Sequence, residues 1–208
     1  MPQTFKQFLE KLAGEKARGP TPSFSVFHLL LALELVAKKS VGRSKLAQEL
    51  GVGEGVGRTV IGRLREAHLI ATSKAGCQLT EKGLMLFNNY QSTLRKAAVA
   101  KNELTFTHYN FAILVRNRGH KVKSGIEQRD ATVMAGAKGA TTMLFRKGRL
   151  IFPSFGREVA KDSRKASNDT VALLKPEEND VLIIVSAENM RKAEYAALAA
   201  AWTLLNDD

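Results

Sequence analysis

The sequence predicts an α+β protein of two domains: a helix-turn-helix domain closed by a β-hairpin over residues 1–100, and a small βαββαβ-type α/β sandwich over residues 103–208. Three observations support this fold class. Residues 43–82 have the pattern helix, turn, helix, strand, tight turn, strand. The helical periodicity ends near residue 100, where a β-type run over 111–115 follows. From there strands and helices alternate to the end of the chain.

Two leading helices are predicted to build the apolar core of the N-terminal domain. Residues 4–13 have an amphipathic pattern, and residues 19–22 separate this helix from a second, more apolar one. We expect Ser23 or Thr21 to be the N-cap of that second helix. His28 lies on it, and we expect a core or interface histidine rather than a catalytic one.

The helix-turn-helix itself follows. Its first helix is expected to begin after Arg43, with Ser44 as the N-cap, and to end at Gly51. Its second helix starts at Glu54, and at about 100° per residue its apolar residues share one side. The opposite side carries Gly55, Arg58, Thr59, Gly62, Arg63 and Glu66. Glycines remove bulk and arginines bind phosphates or guanine, so this side is predicted to contact DNA.

The hairpin is predicted from two short β-type runs, residues 69–73 and 77–80, joined by a turn at residues 74–76. A hairpin after two such helices is the wing of a winged helix-turn-helix. Lys74 lies at its tip, where we expect it to touch the DNA backbone or minor groove. A winged helix used only to bind other proteins is the alternative.

The motifs Gly53-Glu54-Gly55, Arg58-Thr59, Arg63-Leu64, Gly76, Leu79-Thr80 and Gly83 fall within residues 42–83. They resemble the DNA-binding domain of archaeal winged helix-turn-helix transcriptional regulators, in which they form the recognition helix and close the wing. The resemblance covers about residues 20–98. Gly57 departs from the family, which usually has a buried Val there, and this predicts looser packing of the second helix.

The predicted DNA-binding residues are Arg43, Ser44, Lys45, Gly55, Arg58, Thr59, Gly62, Arg63 and Lys74. The chain from about Glu103 onward, with the run SGIEQRDATVMAGAKGATTM, resembles a small domain of unknown function found behind such winged helices. That resemblance implies the architecture of a regulator but no particular ligand.

A helix over residues 81–98 is predicted after the wing, with apolar side chains around much of its surface. Helices at this place commonly pair two subunits, which predicts a homodimer. Alternatively, the leading helix or the C-terminal domain covers the same apolar face.

The C-terminal elements are predicted as strands at 109–115, 139–146, 149–153 and 181–186, and helices at 125–135, within 157–174, and at 189–205. That order permits a ferredoxin-like sandwich or a three-layer mixed sheet. A domain of this kind in a regulator dimerises or senses a ligand.

The best candidate for a sensing site precedes the helix at 125. Ser124 and Gly125 begin a capping-box pattern, and Lys121 and Lys123 stand just before it. Residues 116–149 hold nine Lys and Arg against two Asp and Glu. The four residues are therefore predicted to bind an anionic small-molecule effector, although a capped helix alone requires the same residue types.

Charge and composition agree with a nucleic-acid partner. The net charge is +12 and the isoelectric point is about 10.0, which favours polyanions. The first 100 residues hold 15 Lys and Arg against 7 Asp and Glu. The N-terminal domain therefore carries most of the excess.

Signals for catalysis, metal binding and membrane insertion are weak in this sequence. Cys77 is the single cysteine, and the four histidines are scattered, so we expect no disulfide, metal site, cofactor or catalytic group. No segment is long and apolar enough to span a bilayer, and a cytoplasmic protein is expected. An enzyme in the C-terminal domain remains an alternative.

Together these features predict a sequence-specific transcriptional regulator that binds double-stranded DNA. The alternative among non-enzymes is an architectural or protein-binding winged helix that recognises no specific operator.

Overall fold

The structure is a computed structural model that describes residues 4–14 and 23–205. The chain divides into two compact units, Met1–Gln91 and Ser92–Asp208. The division falls after Gln91 rather than near residue 100. The predicted separator at residues 19–22 and the alternative cap Thr21 lie outside the described residues.

Five helices and one hairpin make up the described part of the first unit. They are α1 (Phe5–Ala13), α2 (Val26–Lys38), α3 (Arg43–Leu50), α4 (Glu54–Glu66), β1 (Ile70–Ser73), β2 (Gly76–Leu79) and α5 (Glu81–Thr93). This order matches the helix, turn, helix, strand, turn, strand pattern of the sequence.

Local capping explains where the first two helices begin. Thr4 forms a capping box with Gln7 at the start of α1. Ser25, rather than Ser23, is the N-cap of α2: its hydroxyl accepts from Phe27 N, and its own amide donates to His28 Nδ1 at 3.0 Å. His28 thus has a structural role, as expected.

The wing is anchored to the body of the first unit by the residues between α2 and α3. Val41 pairs with Cys77 through backbone hydrogen bonds on both sides. Ser40 Oγ donates to Ala75 O at 2.6 Å. Gly76 has a φ of +116°, and a Cβ there would lie 2.8 Å from the Val41 carbonyl. The hairpin therefore keeps a defined position relative to α3.

The apolar core of the first unit is formed mainly by α2, α3 and α4, whose fully buried side chains include Leu29, Leu33, Leu46 and Leu64. Helix α1 covers part of α5, where the Phe5 and Tyr90 rings stack with centroids 6.0 Å apart. Leu84 and Met85 on α5 stay exposed.

The helix predicted over residues 81–98 is wrong in its last third. Helix α5 ends at Thr93, and residues Leu94–Val99 form a strand, β3, which pairs along its whole length with residues 110–115. The spacing of Leu94, Ala97 and Ala98 fits a helix, so the local pattern favours the wrong element. The pairing with residues 110–115 is not visible in such a pattern.

The remaining elements of the second unit follow the predicted order. They are β4 (Tyr109–Val115), α6 (Ile126–Met134), β5 (Gly139–Arg146), β6 (Arg149–Ile151), α7 (Arg164–Leu174), β7 (Val181–Ala187) and α8 (Met190–Trp202), with short 3-10 helices at Gly119–Lys121 and Val159–Lys161.

Five strands form one antiparallel sheet in the order β3-β4-β7-β5-β6. Strand β7 lies between β4 and β5, and β5 lies between β6 and β7, so the two strands of each βαβ connection are separated by one other strand. Strand β3 extends the sheet beyond the βαββαβ core.

Both faces of this sheet are covered. Helix α7 packs on the face that carries Ala112, Leu114, Leu182 and Ile184, while α6 and α8 pack on the other. This explains why every residue of β7 is buried and why β4 and β7 contain apolar runs without alternation. Helices of the second unit therefore lie against the sheet on both faces.

Candidate nucleic-acid interface

Helix α4, the N-terminus of α3 and the wing enclose a groove of about 600 Å³ in the first unit. We name it the wing groove. Its positive charges come from four side chains: Arg43, Arg58, Arg65 and Lys74. All four are exposed, and no Asp or Glu of the described residues lines the groove. The arrangement is suited to an extended anion, because the cations converge and no carboxylate competes for them.

Hydroxyls and glycines complete the wing groove. Thr72 and Ser73 bring hydroxyl groups from the wing, and Gly42, Gly62 and Gly76 leave its wall free of bulk. Cys77 lies at its base and is buried. Burial raises the pKa of the Cys77 thiol, and Arg43 opposes that rise.

Arg65 is a groove residue that the sequence reasoning missed. It lies seven residues after Arg58, which puts both side chains on the same face of α4, about 20° apart. This spacing was readable from the sequence. The hydroxyls of Thr72 and Ser73, in contrast, had no signal beyond their place in the hairpin.

The prediction that Arg63 faces outward with Arg58 is wrong. Arg63 is 9% exposed, and its Nη1 donates to the carbonyls of Leu12 at 3.0 Å and Gly14 at 2.7 Å. Its guanidinium also lies 5.9 Å from the centre of the Phe24 ring. Arg63 stands about 140° from Arg58 on the helix, at the edge of the buried side. It holds the end of α1 in place and does not line the wing groove.

The glycines of α4 have two different environments. A Cβ on Gly57 would lie 2.7 Å from Ala47 Cβ, so α4 approaches α3 closely at this point. The prediction of looser packing at Gly57 is therefore wrong, because the two helices are in tight contact there. A Cβ on Gly55 or Gly62 meets no described atom within 4 Å. Internal packing does not require glycine at those two positions.

The other predicted DNA-binding residues are exposed on the same unit but lie outside the wing groove. Ser44 is in the first turn of α3, whose N-cap is Gly42 rather than Ser44. Lys45 pairs with Glu49 at 3.0 Å. Gly55 and Thr59 lie on the outer face of α4, where Thr59 Oγ1 donates to Gly55 O at 3.1 Å.

The four residues predicted to bind an anionic effector are not brought together by the second unit. Ser124 and Gly125 line a small cavity at the start of α6, whereas Lys121 and Lys123 do not. The predicted capping box is also absent: Gly125, which has no side chain, is the N-cap, and Ser124 Oγ accepts a long hydrogen bond of 3.4 Å from Ile126 N. Lys121 and Lys123 are therefore not part of the candidate ligand site.

No described group of three or more His, Cys, Asp or Glu side chains is placed to hold a metal ion. Within residues 4–14 and 23–205, the helices are too short or too polar to cross a membrane.

Residues 27–94 match a family described as the CggR N-terminal DNA binding domain. This agrees with the DNA-binding domain that the sequence predicts in the N-terminal half, and it includes α4 and the wing. Residues 106–204 match a domain of unknown function, DUF4443. This agrees with a separate C-terminal domain without a defined activity.

Among solved structures, a hypothetical protein from Pyrococcus horikoshii OT3 is similar over nearly the whole chain. The two are 27% identical, with a TM-score of 0.72, over 88% of this chain and 93% of that one. No protein with a curated description matches the chain.

Proposed function

We propose that this protein is a transcriptional regulator that binds specific sites in double-stranded DNA, and that it acts as a binding protein rather than an enzyme. The observation that carries the proposal is the wing groove, in which Arg43, Arg58, Arg65 and Lys74 converge and no carboxylate of the described residues lies among them. The match to a DNA-binding domain over the same residues supports it.

The bare face of α4 supports close approach to a duplex. Glycine within a helix costs about 1 kcal/mol relative to alanine, and no described residue of the first unit requires it at Gly55 or Gly62. A binding partner that approaches the helix backbone explains why small residues are placed there. A helix in the major groove has this requirement.

In this proposal the groove cations have two roles. Arg58 and Arg65 project from one face of α4 and contact bases or the flanking phosphates. Arg43 on α3 and Lys74 at the tip of the wing flank these two arginines and bind the DNA backbone. Lys45, which is paired with Glu49, contributes less.

We also propose that the regulator is a cytoplasmic homodimer. Leu84 and Met85 on α5 are 49% and 68% exposed, which supports a contact between two copies through this helix. The single cysteine is a buried free thiol, in agreement with a reducing compartment.

Selection of bound duplexes from a random pool, followed by titration of the full chain at several salt concentrations, tests the function. We expect a discrete motif and a logarithmic salt slope of about −3 to −4 for each bound protomer, because about 0.9 counterions are released for each of its four contacts. Absent binding or a flat salt response contradicts DNA as the partner. Steep salt dependence without sequence preference identifies an architectural protein instead.

A further inference from the structure

A cavity of about 220 Å³ opens at the start of α6 in the second unit. Its polar residues include Ser124, Arg129 and Thr142, and its apolar wall includes Phe152 and Phe155. The volume is below the range of drug-sized ligand sites, roughly 300 to 1,000 Å³. Only a small molecule fits.

Thr142 is the most informative residue of this cavity. The side chain is 7% exposed, and its Oγ1 is buried without a hydrogen-bond partner among the described residues. An unsatisfied buried hydroxyl costs about 1–3 kcal/mol. Such a group in the wall of a cavity indicates that a ligand atom completes its hydrogen bonding.

Gly125 packs directly against Thr142 in the wall of this cavity. It is the N-cap of α6 with a φ of +86°, and a Cβ there would lie 2.9 Å from Thr142 Cβ and 3.3 Å from Thr142 Oγ1. A side chain at this position would press against the threonine side chain. The glycine therefore lets the start of α6 lie next to Thr142, and both residues line the same cavity.

The charge of this wall is positive. The N-cap Gly125 has no side chain, and Ser124 Oγ accepts from Ile126 N at a long 3.4 Å, so the other first-turn amides and the helix dipole favour a negative group. Arg129 lies one turn further along α6 and lines the cavity. Its guanidinium is 3.7 Å from Asp130, in a pair whose members are 62% and 59% exposed, and such exposed pairs are weak enough to be replaced.

The rest of the cavity is apolar. Phe155 is 85% exposed and Ile126 is 56% exposed at its rim, and Phe152 is half-buried in its wall. Exposed aromatic side chains beside a positive helix terminus are suited to a ligand with an acidic end and an apolar body.

We propose that this cavity binds a small organic monocarboxylate with a ring-sized apolar body. The carboxylate lies between Arg129, the first amides of α6 and the Thr142 hydroxyl, and the apolar body packs against Phe152 and Phe155. One arginine binds a carboxylate by two parallel hydrogen bonds. The proposal does not depend on DNA binding, so either can fail without the other.

Phenylacetate is the probe, and the uncharged phenylacetamide is its matched control. Thermal unfolding of the full chain is measured with each compound up to about 10 mM, since binding to the folded state alone raises Tm with concentration. We expect phenylacetate to raise Tm and phenylacetamide to have an effect at least about tenfold weaker. No shift with phenylacetate, or equal shifts with both compounds, overturns the proposal.

Three variants locate the site. Arg129→Gln is expected to weaken phenylacetate binding about tenfold or more. Thr142→Val is expected to weaken it about fivefold while raising the Tm of the ligand-free protein, because an unsatisfied hydroxyl is removed. Lys123→Gln removes a nearby charge outside the cavity and is expected to change neither. A Tm shift that survives Arg129→Gln, or is lost in Lys123→Gln, contradicts this site.

Discussion

The two units of the chain use their positive side chains differently. In the second unit Lys96 pairs with Glu194, and Arg116 pairs with the buried Asp180, each at 2.7 Å. Hydrogen bonds from Lys138 and then Lys192 lower the pKa of Glu188 to about 2. The four cations of the wing groove have no ion-pair partner among the described residues. Paired cations join elements of a fold, whereas converging cations without partners are available to an external anion.

The same contrast occurs within one helix. Arg58 and Arg65 project into the wing groove, whereas Arg63 turns inward to the carbonyls at the end of α1. Residue type alone therefore does not identify a DNA contact. The exposed fraction and the partner atoms separate a binding arginine from a structural one, and this separation can be tested.

The largest effect is expected for Arg58→Ala/Arg65→Ala. Each direct contact is worth about 1–3 kcal/mol, so the double variant should lose about thirtyfold or more in DNA affinity. Fluorescence anisotropy with the selected duplex measures it. Lys11→Ala/Lys38→Ala removes the same charge from exposed positions outside the groove and should cost less than about threefold. Equal losses in both variants would show that only net charge matters.

The next effect concerns stability. Arg63→Ala should lower the free energy of unfolding by about 2–3 kcal/mol, because two partly buried carbonyls lose a charged donor. Urea denaturation measures this change. DNA affinity of the folded variant should stay within about threefold of the wild type. A variant with unchanged stability and strongly reduced DNA affinity would instead indicate that Arg63 contacts DNA.

The glycines of α4 provide a finer comparison. Gly57→Ala should destabilise the fold by about 1–3 kcal/mol through its contact with Ala47. Gly62→Ala should instead stabilise it by about 0.5–1 kcal/mol, since alanine favours helix and the site is open. Gly62→Ala should nevertheless weaken DNA binding by adding bulk at the contact face. Unchanged affinity in the stabilised variant would argue against close approach at this position.

The smallest effect is a pH dependence from His28. Burial lowers its pKa below the usual value near 6.5, and its Nδ1 accepts from Ser25 N, which requires that nitrogen to be unprotonated. The unfolded chain therefore binds this proton more readily, so the free energy of unfolding falls as pH decreases below about 6.5. Urea unfolding at about pH 7.5 and 5.5 should show a smaller pH dependence in His28→Gln than in the wild type. Identical dependence in both would remove His28 as the cause.

Most elements could be predicted because their signals are local. Turn residues and short apolar runs placed β4 and β5 at their observed bounds, Tyr109–Val115 and Gly139–Arg146. The prediction missed β3 because its pairing with the next strand, β4, and the contact of Lys96 with the distant Glu194 are not visible in a local pattern. Local periodicity alone favours a helix there.

By itself, the sequence determined the order of elements, the excess of positive charge near the N-terminus and the residue types of α4. These follow from hydrophobic period, turn chemistry and composition, which are properties of neighbouring residues. Only the tertiary structure decided which arginines of α4 line the wing groove and which one binds α1. It alone placed Thr142 next to Gly125. Burial and hydrogen-bond partners depend on residues far apart along the chain, so they are defined only once the units have packed.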